Sequence, residues 1–256
     1  MKPEILKLND TQYIAYHKNE GKENKPTVIF LGGFMSDMDG IKATSLEKFC
    51  IDKGYGFIRF DYFGHGQSSG EFTEGTISIW KENALTVIDQ LTKGDLVLVG
   101  SSMGGWLMIL AALERKQRIA GLIGIASAPD FTEELIWDKM SFAEKDELEE
   151  KGQYSLKSDY GDEPYPITKE LIEDGRKNIV LDKKIELDCP VRLLHAMEDE
   201  DVPNYLSIAL GQQITTDNMC VNLVAQGDHR MSSDENIELI CDTLGEMIDN
   251  MGKVWD

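Results

Sequence analysis

LVLVGSSMGGWLMILAAL, residues 96–113, reads as a buried strand, an abrupt turn and a buried helix. The leucine and valine run before Gly100 suits a strand covered on both faces. The apolar run after Gly104 suits a helix inside the molecule. At the turn stands the pattern G-x-S-x-G, with Ser102 at its centre. In a strand–turn–helix, this pattern holds the central residue in a strained backbone conformation and lifts its side chain clear of the sheet. Glycines at 100 and 104 are needed because a Cβ there would strike the neighbouring strand or helix. The helix N-terminus, with unpaired N–H groups and partial positive charge, then points at the place where the serine stands. An ordinary serine in a glycine-rich turn is the alternative, and the strand before it and the helix after it weigh against that.

The chain of 256 residues is long enough for one large α/β domain spanning 1–256. There are 46 acidic and 26 basic residues, a net charge of −20, which opposes nucleic acid and anionic membrane surfaces as partners. Cys50, Cys189, Cys220 and Cys241 form no C-x-x-C pair and sit in apolar-periodic segments, so they read as small buried hydrophobes. That spacing argues against a metal site, and no cofactor is implied. No apolar run reaches membrane-spanning length, so no stable membrane insertion is expected. The opening MKPEILKLND has neither an apolar signal core nor an Arg-rich amphipathic pattern, and a cytoplasmic protein, or else a mature form already trimmed, is expected from it.

Outward from the central stretch, the chain alternates strands and helices. Residues 4–8 and 12–17 suggest a hairpin around Asn9 and Asp10, and 18–25 a loop. Thr27–Leu31, TVIFL, is a buried strand ending at Gly32-Gly33-Phe34. A helix with Leu46, Phe49 and Cys50 on one face follows, stopped by Gly54. Gly56–Phe60 is the next buried strand, followed by the glycine-rich loop DYFGHGQSSGEF. Thr76 caps a helix whose apolar positions, Ile77, Trp80, Ala84, Val87, Ile88 and Leu91, make one face. Residues 95–99 lead into the central turn, and Ile119–Ile125 is another strand. Such alternation implies parallel units wound on both faces of one sheet.

From 129 to 188 the alternation stops. This segment is charged, offers no strand candidate, and carries Trp137, Met140, Phe142, Tyr154, Tyr160 and Tyr165. It reads as a helical lid inserted over the site, since insertions at strand carboxyl ends cover ligand crevices in this architecture. The alternative is a surface excursion with no role in binding. Val191–Ala196 and 219–225 resume the sheet. Val202-Pro203 starts a helix, and Ser232 with Glu235 forms a capping-box signature for the last one.

A serine hydroxyl needs a base, and the base needs a group that fixes its tautomer. Four histidines are available. His229 follows the last strand in a loop turned by Gly227, and suits the chain order serine, acid, histidine. His17 reads as a surface residue of the hairpin. His65 lies in a glycine loop that could border a pocket. His195 ends a strand but precedes the acid. The acid is sought just past His195, where Asp199 stands at the sheet's carboxyl edge. Asp201 suits a helix cap better. Asp130 is a distant alternative, and Asp228, next to His229, is poorly placed to face it. Backbone N–H groups of Met103 and Phe34 are the candidate oxyanion donors, with Gly33 letting the backbone approach a substrate. Trp137, Met140 and Phe142 are candidate acyl contacts from the lid, with Trp106 as core behind the turn.

The whole constellation resembles the α/β-hydrolases: G-x-S-x-G, DYFGHGQSSG, H-x-x-x-D-x-x-V-P and the late His229. The stretches FMSDMDGIKA, FIRFDYFGHGQSSG, VGSSMGGWLMILAAL, CPVRLLHAMEDEDVP and DHRM resemble more closely the mitochondrial acyl-protein thioesterases, also described as acyl-glucuronide esterases, and their bacterial relatives. The resemblance runs from 27 to 251 and is weakest in the lid. It implies Ser102 as nucleophile, Asp199 as acid and His229 as base, acting on acyl-protein or small-molecule esters and thioesters. Gly32 departs from the histidine or proline common at that position. A small-molecule esterase, lactonase or peptidase on the same residues stays open, as does a hydrolase-shaped receptor without turnover.

Overall fold

The computed structural model describes residues 2–156 and 164–251. In chain order the strands are β1 (Glu4–Lys7), β2 (Tyr13–Asn19), β3 (Thr27–Leu31), β4 (Gly56–Phe60), β5 (Leu96–Ser101), β6 (Ile119–Ile125), β7 (Gln153–Leu156), β8 (Tyr165–Thr168), β9 (Val191–Ala196) and β10 (Met219–Val224). The α-helices are α1 (Ile41–Lys53), α2 (Ile77–Leu91), α3 (Met103–Glu114), α4 (Phe142–Lys151), α5 (Lys169–Gly175), α6 (Tyr205–Gln213) and α7 (Asp234–Met251). Eight strands form one sheet in the order β1-β2-β4-β3-β5-β6-β9-β10. β1 and β2 are antiparallel to their neighbours, and the other six run parallel.

The central strands carry apolar side chains on both faces, and successive residues divide between two cores. Ile29, Leu31, Leu96, Leu98, Leu122 and Leu193 join the core covered by α2, α3, α6 and the 129–188 segment. Val28, Phe30, Val97, Val99, Ile123 and Leu194 join the core covered by α1 and α7. β3 leads left to β4, and the chain then crosses back to β5 on the other side of β3. The carboxyl ends of β3 and β5 therefore flank the point where the winding reverses, the place where such sheets bind ligands.

Several local expectations are corrected. The 129–188 segment is not wholly helical, because β7 and β8 pair as an antiparallel hairpin from Gln153 opposite Thr168 to Leu156 opposite Tyr165. Four-residue strands amid charges leave too short an alternation to be read from sequence. Helix α6 starts at Tyr205 with Asn204 as its cap residue, so Asp201 does not cap it. The last helix takes its cap from Ser233, whose hydroxyl accepts from Asn236 N–H at 3.3 Å, while Ser232 turns back to the Arg230 carbonyl. His17 is also not a surface residue: β2 lies between β1 and β4, and its pairing with Arg59 leaves His17 8% exposed. Of the cysteines, Cys50 and Cys241 are buried, Cys189 is half-buried and Cys220 is exposed on edge strand β10. Tyr160 lies outside the described residues.

Candidate active site

Ser102 sits between β5 and α3 with φ 56° and ψ −120°, a conformation that L-residues rarely adopt. Hydrogen bonds hold it there: its N–H donates to the Ile125 carbonyl at 2.9 Å, and its own carbonyl accepts from Gly105 at 2.9 Å and Ala128 at 3.1 Å. A Cβ on Gly104 would stand 2.0 Å from the Leu31 carbonyl oxygen, and one on Gly100 would stand 2.3 Å from the Gly104 carbonyl oxygen. The glycines of G-x-S-x-G are thus demanded by close packing of α3 against β3 and β5. On the other side of the serine, a Cβ on Gly33 would lie 3.4 Å from Ser102 Cβ. That brings the loop after β3 beside the hydroxyl.

His229 follows β10 and Asp199 follows β9, so both enter from strand carboxyl ends. His229 Nε2 lies 3.0 Å from Ser102 Oγ, and His229 Nδ1 lies 2.8 Å from Asp199 Oδ2. Gly227 has φ 127°, a backbone conformation that L side chains rarely adopt, so glycine suits the turn that leads the chain past Asn236 of α7 to His229. Lys42 of α1 donates to the Arg230 carbonyl, tying the loop to the helix that follows the Phe34 turn.

The Asp199 carboxyl is fully buried. Burial alone would raise its pKa. The hydrogen bonds from His195 and His229, the charge of His229 and the Val202 N–H outweigh that and hold it well below the usual carboxylate range. Its Oδ1 accepts from the Asp201 and Val202 N–H groups at 3.0 and 2.8 Å. One oxygen or nitrogen each from Asp199, Asp201 and His229 fall within 4.8 Å of one another. The hydrogen bonds just described use the Asp199 and His229 atoms, so the grouping does not call for a metal ion.

Phe34 lies in the loop after β3, next to Gly33, and Met103 is the first residue of α3, so both are close to Ser102 along the chain or in space. The first N–H groups of a helix have no partner within it, which leaves Met103 N–H available to a ligand. The Phe34 ring is the hub of an aromatic cluster, 4.9 Å from Phe72, 5.4 Å from Phe131, and 5.9 Å from both Trp80 and Tyr165. Phe131 and Tyr165 belong to the 129–188 segment, which therefore leans on the loop beside the serine. Of the candidate acyl contacts, Met140 is buried and Trp137 is half-buried between Lys145 and Arg176. Phe142 is corrected: at the first turn of α4 it is 88% exposed and lines no enclosed channel. Trp106 is buried core, its indole N–H donating to the Asn178 carbonyl at 3.0 Å.

The other candidates have different employment. Asp130 is buried and its carboxylate accepts from Val180 and Leu181, closing the far end of the insertion rather than facing a histidine. His65 is buried against Tyr62, Phe72 and Trp80, and burial pushes its pKa down to about 4, so the ring is neutral. Asp61, the first residue of the loop DYFGHGQSSGEF, accepts from Met38 N–H and Gln67 N–H at 2.7 Å each. It clamps the Phe34 loop to the glycine-rich loop. The run of glycine and short polar residues after Asp61 was the available signal for such a clamp. His195 was set aside for preceding the acid, yet it contacts Asp199 directly, at 3.1 Å.

Residues 26–164 match the family model for the alpha/beta hydrolase fold. Mouse palmitoyl-protein thioesterase ABHD10, mitochondrial, is 38% identical over 253 residues, 98% of this chain and 84% of that protein. Its solved structure superimposes with a TM-score of 0.90 at 37% identity, covering 98% of this chain and 100% of that one. A hydrolase-class crystal structure from Agrobacterium vitis S4 gives a TM-score of 0.91 at 39% identity, covering 95% and 96%. The mammalian relatives, from mouse, cattle and human, are named as mitochondrial, which overturns the cytoplasmic expectation drawn from the first ten residues. Targeting segments are removed from mature chains, so the character of a first stretch is a weak guide to compartment. Among the described residues no helix is long and apolar enough to cross a membrane. Identity along nearly the full length, a matching fold and the serine at the head of α3 place this chain in the α/β-hydrolase family.

Proposed function

We propose that the protein hydrolyses carboxylic esters and thioesters through an acyl-enzyme on Ser102, with acyl-protein thioesters as the substrate class. The observation that carries this is the continuous contact Ser102 Oγ to His229 Nε2 to His229 Nδ1 to Asp199, at 3.0 and 2.8 Å. His229 takes the hydroxyl proton as Ser102 Oγ bonds to the acyl carbon. The carbonyl π electrons move to oxygen, and the N–H groups of Met103 and Phe34 bind that oxyanion. Collapse expels the thiolate or alkoxide, which His229 protonates when needed. Water, deprotonated by His229, then attacks the acyl-serine and releases the acid and the free hydroxyl. Asp199 stays ionised throughout, opposing the imidazolium charge. Residues 129–188 act as cover within a single 1–256 unit, supported by the Phe131 and Tyr165 contacts on Phe34. The thioester preference is supported by the mammalian relatives, which are named palmitoyl-protein thioesterases.

A fluorophosphonate probe tests the chemistry. Wild type takes the label and Ser102→Ala does not; an unlabelled wild type sinks the proposal. Rates on S-acyl peptides and p-nitrophenyl esters of rising chain length test the substrate class. Higher kcat/KM on long-chain thioesters is expected, and a sharp optimum at short esters would point to a small-molecule esterase instead.

A further inference from the structure

The acid of the proposed site is held by two imidazoles, and only one of them faces the serine. His195, the penultimate residue of β9, is fully buried. Its Nε2 lies 3.1 Å from Asp199 Oδ2 and 2.8 Å from the Val202 carbonyl oxygen. Both neighbours are acceptors, so Nε2 carries the proton. Its Nδ1 lies 2.7 Å from Ser207 Oγ of α6, also fully buried, whose hydroxyl donates to it. A chain of donors thus runs from Ser207 through His195 to the same carboxylate oxygen that accepts from His229.

We infer that His195 is a positioning residue for the hydrolytic site: it fixes the Asp199 rotamer and, by sharing Oδ2, moderates how strongly that oxygen draws a proton onto His229. This rests on the Ser102–His229–Asp199 reading above. The physical ground is competition at one oxygen. A carboxylate oxygen that accepts a second hydrogen bond has less charge left for the first. The imidazolium of His229 is then less favoured, and the ring stays free as a base at lower pH. Other charged groups also face this pair: Asp201 in the acid's own loop, Lys42 from α1, and Asp228 and Arg230 flanking His229. None of them changes in the variants below, so a shift between variants belongs to His195.

His195→Phe keeps the bulk of the ring and removes the donor. His195→Gln keeps a side-chain N–H in place. Ser207→Ala removes the partner that orients the ring. Fluorophosphonate labelling of wild type comes first, because an unlabelled wild type overturns the underlying site, while a labelled one leaves the inference to stand alone. The kcat/KM pH profile then decides. His195→Phe is expected to lower kcat about tenfold, with KM within about twofold, the scale of one lost hydrogen bond to a charged group. Its acid limb moves up by about half a pH unit, and His195→Gln returns the limb towards wild type. A merely structural role would lower activity equally at every pH, so a folded His195→Phe with an unmoved limb overturns the inference. If His195→Phe does not fold, the other two decide: Ser207→Ala shifted upward with His195→Gln unshifted supports it, and any other pattern overturns it.

Discussion

The proposed triad acid, Asp199, has a side chain of the same chemistry only two positions on, at Asp201. What distinguishes them is burial and partners: the Asp199 carboxyl is enclosed and accepts from His229, His195 and two backbone N–H groups. Asp199→Asn would present an amide to His229 and favour the wrong tautomer. It is expected to lower kcat by about 10³–10⁴-fold, as loss of a triad acid does generally. Asp201→Asn should stay within about tenfold of wild type, because its N–H to Asp199 Oδ1 is a backbone contact that the substitution keeps. Steady-state rates on one thioester check both, and a reversed order would move the acid to Asp201. Much of this was legible in sequence, since chain order and the strand before each residue fix which loops meet. His195 was not legible. The spacing H-x-x-x-D-x-x-V-P holds both His195 and Val202, but the contribution of His195 depends on a proton direction set by the Val202 backbone carbonyl and by Ser207, a residue outside that pattern.

Elements differ in how openly they announce themselves. The strands under Ser102 are buried on both faces, so TVIFL and LVLVGS stand out as unbroken apolar runs. The insertion is built the opposite way, from short pieces that are stable only against the rest. Its β7–β8 hairpin has four residues a side, and its closing end hangs on one carboxylate, Asp130. Burial raises that carboxyl's pKa to about 6, against the Leu181 and Val180 N–H groups that lower it. The unfolded chain has an ordinary aspartate near 3.9. Between those values the folded protein binds more protons than the unfolded one, so this site favours folding fully below about pH 4 and loses that contribution as pH rises through about 6. Asp130→Asn keeps an oxygen acceptor and removes the titration. The difference in unfolding free energy between the two proteins should therefore change by up to about 1.4 kcal/mol per pH unit in that window. Urea melts at pH 4.5, 5.5 and 6.5 measure it, and a constant difference would show that the carboxyl is ionised in the fold throughout.

For the molecule as a whole, the site is a product of topology and the charge a product of composition, and the two meet at the substrate. Parallel winding puts the loops after β3, β5, β9 and β10 at one edge of the sheet, and these carry Phe34, Ser102, Asp199 and His229. Around that edge lies a protein of net charge −20. A small neutral ester feels little of this field, but an acylated peptide carries its own charges into it. Peptides whose S-acyl cysteine is flanked by lysines should be captured faster than the same peptides flanked by glutamates. At about 10 mM ionic strength, where the screening length is about 30 Å, the ratio of kcat/KM values is expected to reach about tenfold. Near 0.5 M salt the ratio should fall towards one, while a neutral p-nitrophenyl ester changes little across the same range. The comparison separates steering from pocket chemistry, since specific contacts to a lysine side chain in the site would keep most of the preference at high salt. A lysine preference that survives salt would thus place its cause in residues near Ser102, and no preference at any salt would mean that the local field at the site entrance is neutral despite the charge of the whole.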